Sequence, residues 1–200
     1  MTISLAIDTS TSRTSVAIID RGVLLWDSYR DGATSHGDAV PALVVEGLKV
    51  QPVIKRVVVG MGPGPFTGLR VGIAFARTFA LARRIPVIGI CSLDAVAALV
   101  HDEDDFIVAT DARRKEIYWA HYRGAIRVEG PSVDLPAVIA AKGLPLFGEG
   151  AVKYSIAQSE KVQFPDLLAL VSLSENFEMR VDEPLYIRHP DALPTSERAR

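Results

Sequence analysis

A glycine- and proline-rich loop that joins a buried strand to a long helix is the feature that most constrains this chain. The loop reads Gly-Pro-Gly-Pro over residues 62–65 and follows an apolar run, Arg56–Gly60. The segment after it, Thr67–Arg84, has the pattern of a helix. Such junctions often hold phosphate on backbone N–H groups, but proline has none. Pro63 and Pro65 therefore argue against phosphate binding by this loop alone, and the spacing fits neither a dinucleotide fingerprint nor a P-loop.

The predicted helix carries small residues at every fourth position, which places them on one face. They are Gly68, Gly72, Ala76 and Ala80. Because glycine inside a helix costs about 1 kcal/mol relative to alanine, this stripe predicts the close approach of a neighbour. That neighbour is either the chain's own sheet or a helix of another molecule. Arg70 and Arg77 lie seven residues apart on a common face and favour an intermolecular contact.

Composition and charge exclude several classes of protein. The chain has 200 residues, a formal net charge of −2 and one cysteine. The charge argues against a stand-alone nucleic-acid-binding protein, and a single cysteine forms no internal disulfide. Arginines interrupt the most apolar stretch, so no transmembrane span is expected. With no signal peptide visible, we expect a cytoplasmic protein.

The order of predicted elements indicates a ribonuclease-H-like fold. Short turns join the first three predicted strands, which favours an antiparallel meander. Helices and apolar strands then alternate, giving the order β-β-β-α-β-α-β-α. The predicted elements are strands Ile3–Ile7, Thr14–Ile19 and Val23–Tyr29, helix Asp38–Val50, strand Val57–Gly60, helix Thr67–Arg84, strand Pro86–Ile90 and helix Ser92–Val100.

An acidic run at 102–105 reads as a solvated linker and divides the chain into predicted domains 1–101 and 102–200. The second domain is predicted to be a small α/β unit whose proline- and charge-rich tail ends in a mobile segment. Its predicted elements are strands Phe106–Thr110 and Ile117–Tyr122 and helices Pro136–Lys142 and Asp166–Phe177.

Candidate chemistry is sparse. Asp8 ends the first strand and precedes Thr9, Ser10 and Thr11. A carboxylate there either holds a metal–nucleotide, as a remnant of a nucleotide loop, or closes the turn with its side chain. No two histidines have the spacing of a helical metal pair, and Cys91 is expected to be buried and inert. The basic turn Arg113–Lys115 is either a solvated hairpin tip or a contact for RNA phosphates brought by a partner.

The chain resembles the bacterial TsaB (YeaZ) family. The motifs that carry the resemblance are Ile7–Thr11, Gly62–Arg70, Asp111–Arg113, Tyr118–Ala120 and Glu183–Arg188. The resemblance implies an actin-like ATPase fold of two domains, the second small and degenerate. It also implies a role in making threonylcarbamoyladenosine in tRNA, as a non-catalytic partner of the transferase TsaD, with the ATPase TsaE joining the pair.

The transferase is itself similar to this chain, and it carries Asn-His-Leu-Glu-Gly-His, whose two histidines bind the catalytic metal. The matching stretch here is Cys91–Val96, with Ser92 and Val96 in place of the histidines. A hydroxyl and an isopropyl group do not replace two imidazoles on iron or zinc. Gly148–Ala151 is at best a weak remnant of the transferase's adenosine site. We therefore expect no catalytic residue and no metal.

The resemblance also implies where partners bind. In the family the first two helices pack against the same helices of the transferase, or against a second copy when the transferase is absent. The implied interface residues are Val40, Leu43, Val44, Gly68, Arg70, Gly72, Ala76, Arg77 and Ala80. The expected assembly is a heterodimer with the transferase or a homodimer alone, with tRNA reached only through the complex and no membrane. No cofactor is expected, except an adenine nucleotide held weakly at the complex interface.

Two other functions are weighed against this one. An actin-like ATPase or kinase acting on its own would depend on Asp8 and the hydroxyl-rich turn, and the prolines of the loop argue against it. A peptidase function is not supported, because the sequence has no Ser-His-Asp, Cys-His or metal-protease spacing. Nucleotide turnover by the purified chain alone would distinguish the ATPase from a scaffold.

Overall fold

A computed structural model describes residues 2–32, 35–158, 161 and 163–188 of the chain. The first of its two sheets has the strand order β3-β2-β1-β4-β5. Strands β1 to β3 form the predicted antiparallel meander, and β4 and β5 run parallel to β1. The strands are β1 Ile3–Asp8, β2 Arg13–Asp20, β3 Val23–Asp31, β4 Arg56–Gly60 and β5 Val87–Ile90.

Helices cover both faces of this sheet. Helices α1 (His36–Val50) and α2 (Phe66–Arg83) bury their apolar sides on one face. Helices α3 (Ser92–Ala97) and α6 (Leu167–Leu173) lie on the other. Strands β1 and β4 are buried along their whole length, as expected for strands covered on both faces. The predicted helices at the positions of α1 and α2 are confirmed to within two residues at each end.

The second sheet is antiparallel except at one edge and has the order β8-β7-β6-β9. Its two central strands were predicted from sequence, but β8, β9 and the short helix α5 were missed. Strand β8 contains Pro131 and has no buried residue. It is an edge strand, and edge strands are where a sheet accommodates proline. The elements of this part are β6 Asp105–Arg113, β7 Glu116–Arg123, β8 Ile126–Asp134, α4 Pro136–Ala140, β9 Leu146–Phe147 and α5 Glu149–Lys153.

The predicted helix at Asp166–Phe177 is shorter in the structure, where α6 ends at Leu173 and a 3₁₀ turn follows at Phe177–Met179. Helix α6 packs on β1 and β2 of the first sheet, although it follows the second in the chain. The boundary predicted at residue 101 stays a prediction. The mobile end predicted for the tail lies outside the described residues.

A C-terminal strap, defined here as residues 180–188, connects the two sheets. The Val181 N–H donates to Gly89 O at 2.9 Å, and the Leu185 N–H donates to Met61 O at 2.8 Å. Further along, Arg188 donates to Ala112 O at 3.2 Å. The strap therefore runs from the edge of the first sheet, past the glycine- and proline-rich loop, to the second sheet.

Candidate functional site

The Asp8 side chain closes the turn that follows β1. Its carboxylate is buried and accepts hydrogen bonds from the Ser10 N–H at 2.8 Å and the Ser10 hydroxyl at 2.7 Å. The Ser92 hydroxyl donates to the other oxygen at 2.6 Å. Burial raises the pKa of Asp8, and these hydrogen bonds act in the opposite direction. Of the two roles predicted for Asp8, the structure supports closure of the turn.

Ser92, which stands at a histidine position of the transferase motif, is part of the same network. Its hydroxyl accepts from the Gly62 N–H at 3.2 Å while donating to Asp8. Val96, at the other histidine position, is fully buried in an apolar cluster with Leu93 and Phe106. One side chain is thus engaged in a structural hydrogen-bond network and the other in apolar packing. Among the described residues, no group of three or more His, Cys, Asp or Glu side chains is placed to hold a metal ion.

Helix α3 links the two sheets through its polar residues. Ser92 binds Asp8 of the first sheet. Asp94, two residues further along α3, accepts from the Tyr122 hydroxyl at 2.8 Å and lies 3.2 Å from the Arg127 guanidinium, both in the second sheet. Burial raises the pKa of Asp94, and Arg127 opposes that shift. The stretch that matches the transferase's metal motif is therefore a structural connection in this chain.

Thr9 fixes the start of α2. Its hydroxyl donates to Gly68 O at 2.8 Å and accepts from the Gly72 N–H at 3.2 Å. A Cβ at Gly72 would lie 2.3 Å from Thr9 Oγ1, so this position requires glycine for the close approach of the turn after β1. The predicted neighbour of the small-residue stripe is the chain's own structure.

This placement corrects most of the interface predicted from sequence. Several of its members are buried in the monomer and do not present a surface to a partner, because they pack against the first sheet and the turn after β1. They are Val40, Leu43, Val44, Gly68, Gly72, Ala76 and Ala80. In the structure these residues pack α1 and α2 against the first sheet.

Arg70 and Arg77 are exposed, but both have contacts within the chain. The Arg70 guanidinium lies 4.5 Å from the centre of the Phe66 ring. Arg77 donates to Asp182 O at 3.0 Å and lies 3.7 Å from the Glu183 carboxylate, both in the C-terminal strap. Arg70 remains available to a partner, whereas Arg77 holds the strap against α2. The partner contact predicted for these arginines stays a prediction.

Glu149 and Ser12 form a contact that the sequence did not suggest. The Ser12 hydroxyl donates to Glu149 Oε2 at 2.5 Å, and the Ser12 N–H lies 3.3 Å from both carboxylate oxygens. Ser12 belongs to the turn after β1, and Glu149 begins α5 beside the second sheet. The carboxylate therefore connects parts of the chain that are 137 residues apart, a separation that no local sequence pattern reveals.

The basic hairpin tip lies beside this contact. Its residues Arg113, Arg114 and Lys115 all have positive φ angles, of 63°, 53° and 64°. Asp111 pairs with Lys153 at 2.6 Å and with Arg113 at 3.1 Å. The tip is therefore partly neutralised within the chain, and its contact with RNA phosphates stays a prediction.

His36 and Cys91 are both buried. The His36 ring nitrogen Nδ1 lies 2.7 Å from the Thr14 hydroxyl. Burial lowers the pKa of His36. Cys91 is fully buried, and burial raises the pKa of its thiol to about 12. The prediction that Cys91 is buried is confirmed.

An open groove with a volume of about 520 Å³ lies elsewhere, along the face of β2 and β3 that α6 partly covers. Its lining includes Arg13, whose guanidinium lies between the Tyr29 and Phe164 rings at 3.7 and 4.0 Å. Neither Asp8 nor Ser92 lines this groove. Among the described helices, none combines the length and the apolar character that a membrane span requires.

Comparison with known proteins gives a consistent set of relatives. The family model for TsaD, tRNA N6-adenosine threonylcarbamoyltransferase, matches residues 40–177, which is well over half of the chain. A Mycobacterium tuberculosis protein named only as uncharacterized is 37% identical, over 95% of this chain and 93% of its own length. The Escherichia coli tRNA threonylcarbamoyladenosine biosynthesis protein TsaB is 32% identical over 60% of this chain, and the match spans about half of that relative, 54%.

Solved structures resemble the whole fold. A Pseudomonas aeruginosa protein described as similar to the peptidase YeaZ superposes with a TM-score of 0.75 and 25% identity, over 94% of this chain and 100% of that one. A structure of YeaZ from the same organism gives a TM-score of 0.70 and 26% identity, over 88% and 91% of the two chains. The ribonuclease-H-like α/β layout predicted from the order of elements and the actin-like fold implied by the family resemblance are confirmed.

Proposed function

This chain belongs to the TsaD-like family and, within it, to the TsaB (YeaZ) proteins of tRNA threonylcarbamoyladenosine biosynthesis, and we propose that it is a non-catalytic subunit that binds and supports a TsaD-type transferase. The observation that carries the proposal is the environment of Ser92 and Val96. Ser92 is hydrogen-bonded to Asp8 at 2.6 Å, and Val96 is enclosed in apolar side chains. Neither position supplies a ligand for a catalytic metal.

The alternative of an ATPase or kinase acting alone has little support. Asp8 is buried, and its carboxylate oxygens accept hydrogen bonds from Ser10 and Ser92. Thr9 uses its hydroxyl to bind the backbone of α2. Because these groups bond within the chain, they are poorly placed to bind a metal–nucleotide.

The surface that we assign to the partner is the outer face of α1 and α2. These helices pack side by side on one face of the first sheet. Val45 is 56% exposed and Leu81 is 80% exposed, and Ala74 and Thr78 lie exposed on α2. Small and apolar exposed side chains on adjacent helices suit a helix-to-helix contact. Arg70 lies on the same exposed side of α2 and supplies a positive charge.

The same face suits both assemblies that the family resemblance implies. The transferase binds this face in the working complex. When the transferase is absent, a second copy of this chain binds the same face through a two-fold symmetric contact. A TsaE-type ATPase joins the complex, and tRNA is bound by the complex as a whole. We propose that the chain acts in the cytoplasm, together with the tRNA that the complex modifies.

Reconstitution tests the function. Threonylcarbamoyladenosine in tRNA would be measured in mixtures that contain a threonylcarbamoyl donor, ATP, the TsaD-type transferase of the same organism and the TsaE-type ATPase, with this chain present or omitted. We expect product from the full mixture, much less without this chain, and none from this chain alone. Product from this chain alone, together with stoichiometric iron or zinc that is lost with activity, would overturn the proposal.

A further inference from the structure

We infer that the C-terminal strap is part of the surface that binds the TsaD-type transferase, and that the contact of Tyr186 with Phe66 anchors the partner there. The identity of the partner rests on the proposed function. The strap extends the partner surface beyond α1 and α2, because it follows the second sheet in the chain and returns to the beginning of α2.

The strap lies along the exposed side of α2. Arg77 donates to Asp182 O at 3.0 Å and lies 3.7 Å from the Glu183 carboxylate. About three helical turns earlier, at the beginning of α2, the centre of the Phe66 ring lies 5.1 Å from that of Tyr186. The order of these contacts is opposite in the two segments, so the strap runs antiparallel to the helix. It therefore borders the exposed face of α2 over the first three turns.

Two aromatic rings and a guanidinium form an open cluster at the beginning of α2, here called the anchor cluster: Phe66, Arg70 and Tyr186. Phe66 is 39% exposed and Tyr186 is 41% exposed, although their rings contact each other. The Arg70 guanidinium lies 4.5 Å from the centre of the Phe66 ring, and among the residues that the structure describes it has no carboxylate partner. Aromatic residues and arginine are the types that most often dominate the binding energy of protein interfaces. The anchor cluster is therefore suited to bury an apolar side chain of a partner.

The charges beside the anchor cluster define the chemistry of the partner. The Glu183 side chain is 84% exposed although it lies near Arg77. Arg70 is exposed and contributes a positive charge to the same side of the molecule. A partner that brings a carboxylate to Arg70 and a cation to Glu183 would be held in one register, since complementary charges fix the orientation of an interface.

The anchor cluster is continuous with the face assigned to the transferase. Arg70, Ala74 and Leu81 form an exposed stripe that leads along α2 from Phe66. A stable interface buries about 800 Å² on each partner, and the strap widens the face that the helices present. The transferase is therefore the occupant that the position of the cluster favours.

The strap is a preformed part of this surface. The Val181 N–H donates to Gly89 O at 2.9 Å, and the Leu185 N–H donates to Met61 O at 2.8 Å. A Cβ at Gly89 would lie 2.2 Å from Val181 O, so the strap approaches β5 as closely as glycine allows. Arg188 attaches the far end to the backbone of the second sheet. Because the strap is already ordered, a partner that binds it loses little affinity to ordering.

The test measures transferase binding by sedimentation with tyrosine variants. Tyr186→Ala should weaken the one-to-one complex by at least about ten-fold, because the partner loses a ring against which it packs. Tyr186→Phe keeps the ring and should bind like the intact chain. Tyr29→Ala is the matched control and should also bind like the intact chain, because Tyr29 is 54% exposed and lines the groove on the opposite face of the first sheet.

Hydrogen exchange of the intact chain gives a second readout. The Val181 and Leu185 amides should exchange more slowly in the complex than in the chain alone, because a partner that covers the strap stabilises its attached form. This readout decides even if Tyr186→Ala does not fold. Unchanged exchange of the strap in the complex overturns the inference, as does equal affinity of Tyr186→Ala and Tyr29→Ala.

The pattern of results also distinguishes the strap from the proposed function. If Tyr186→Ala binds like the intact chain while Ala74→Trp does not, the strap lies outside the partner surface and the proposed function stands. If Tyr186→Ala weakens only self-association, the anchor cluster serves a second copy of the chain, and the inference is wrong. If the intact chain binds no transferase, the proposed function fails and the inference fails with it.

Discussion

At the scale of single residues, the chain uses Ser92 and Val96 for structure at the two positions where the resemblance to the transferase implied metal ligands. Sequence comparison identified Ser92 and Val96 as the departures from that motif. It did not reveal that Ser92 binds Asp8 at 2.6 Å, because the partners are 84 residues apart and belong to different elements. The contact of Ser12 with Glu149 was missed for the same reason. The sequence showed which residue types occupy the motif positions. Contacts between residues far apart in the chain became visible only in the folded structure.

Ser92→Ala should destabilise the chain at neutral pH. It removes a donor from a buried carboxylate, which costs about 1–3 kcal/mol. The pKa of Asp8 is already raised by burial, so the folded chain binds this proton more tightly than the unfolded chain does. The loss of Ser92 raises that pKa further, because its hydrogen bond acts to lower it. Stability then falls as pH rises from the ordinary aspartate pKa through the raised one.

The free energy of unfolding of Ser92→Ala and the intact chain, measured by denaturant titration at several pH values, checks this account. The difference should be largest near neutral pH and should shrink as the pH is lowered. Ser172→Ala, at an exposed position, is the control. A difference that is independent of pH, or that grows in acid, would show that Asp8 is not the group affected.

Cys91 should be unreactive in the folded chain. The thiolate is the nucleophile, and burial raises the pKa of this thiol to about 12. A thiol-specific disulfide reagent at mildly alkaline pH should therefore modify Cys91 only after denaturant is added. Rapid stoichiometric reaction of the native chain would mean that the cluster around Cys91 opens readily.

At the scale of elements, sequence patterns located α1 and α2 well, but they overran α3 and α6 and missed α5 and the edge strands β8 and β9. The four-residue stripe of α2 was visible in the sequence, but its direction was not, since a glycine–alanine face suits either a sheet or a partner helix. The structure turns it inward, with Gly72 against Thr9 and Ala76 fully buried. Strand β8 was missed because its exposed, proline-containing edge lacks the alternation of a half-buried strand.

Leucine substitutions at two alanines distinguish the buried face of α2 from its exposed face. Ala76→Leu should lower stability by about 1–3 kcal/mol, because overpacking a full core forces neighbouring side chains from their positions. Ala74→Leu, two residues earlier on the exposed face, should leave stability nearly unchanged. Thermal unfolding of the two variants checks this. Equal effects, or a larger loss from Ala74→Leu, would reverse the orientation assigned to α2.

At the scale of the whole molecule, tRNA binding depends more on the overall charge distribution than on any single basic turn. The net charge of −2 and the pairing of Arg113 with Asp111 leave little positive field to attract a polyanion. We expect tRNA binding by the isolated chain to be weak and strongly salt-dependent. Filter binding at physiological salt should show little retention, and tight binding that survives mutation of Arg113 and Arg114 would contradict this.

The most direct test of the central claim is the affinity of this chain for a TsaD-type transferase of its own organism, measured by sedimentation. We predict a one-to-one complex that Ala74→Trp weakens by at least about ten-fold, because a bulky side chain blocks close packing of the exposed α1–α2 face. Ala137→Trp, at an exposed alanine of α4, should bind like the intact chain. The absence of a complex, or equal affinity for both tryptophan variants, would contradict the account.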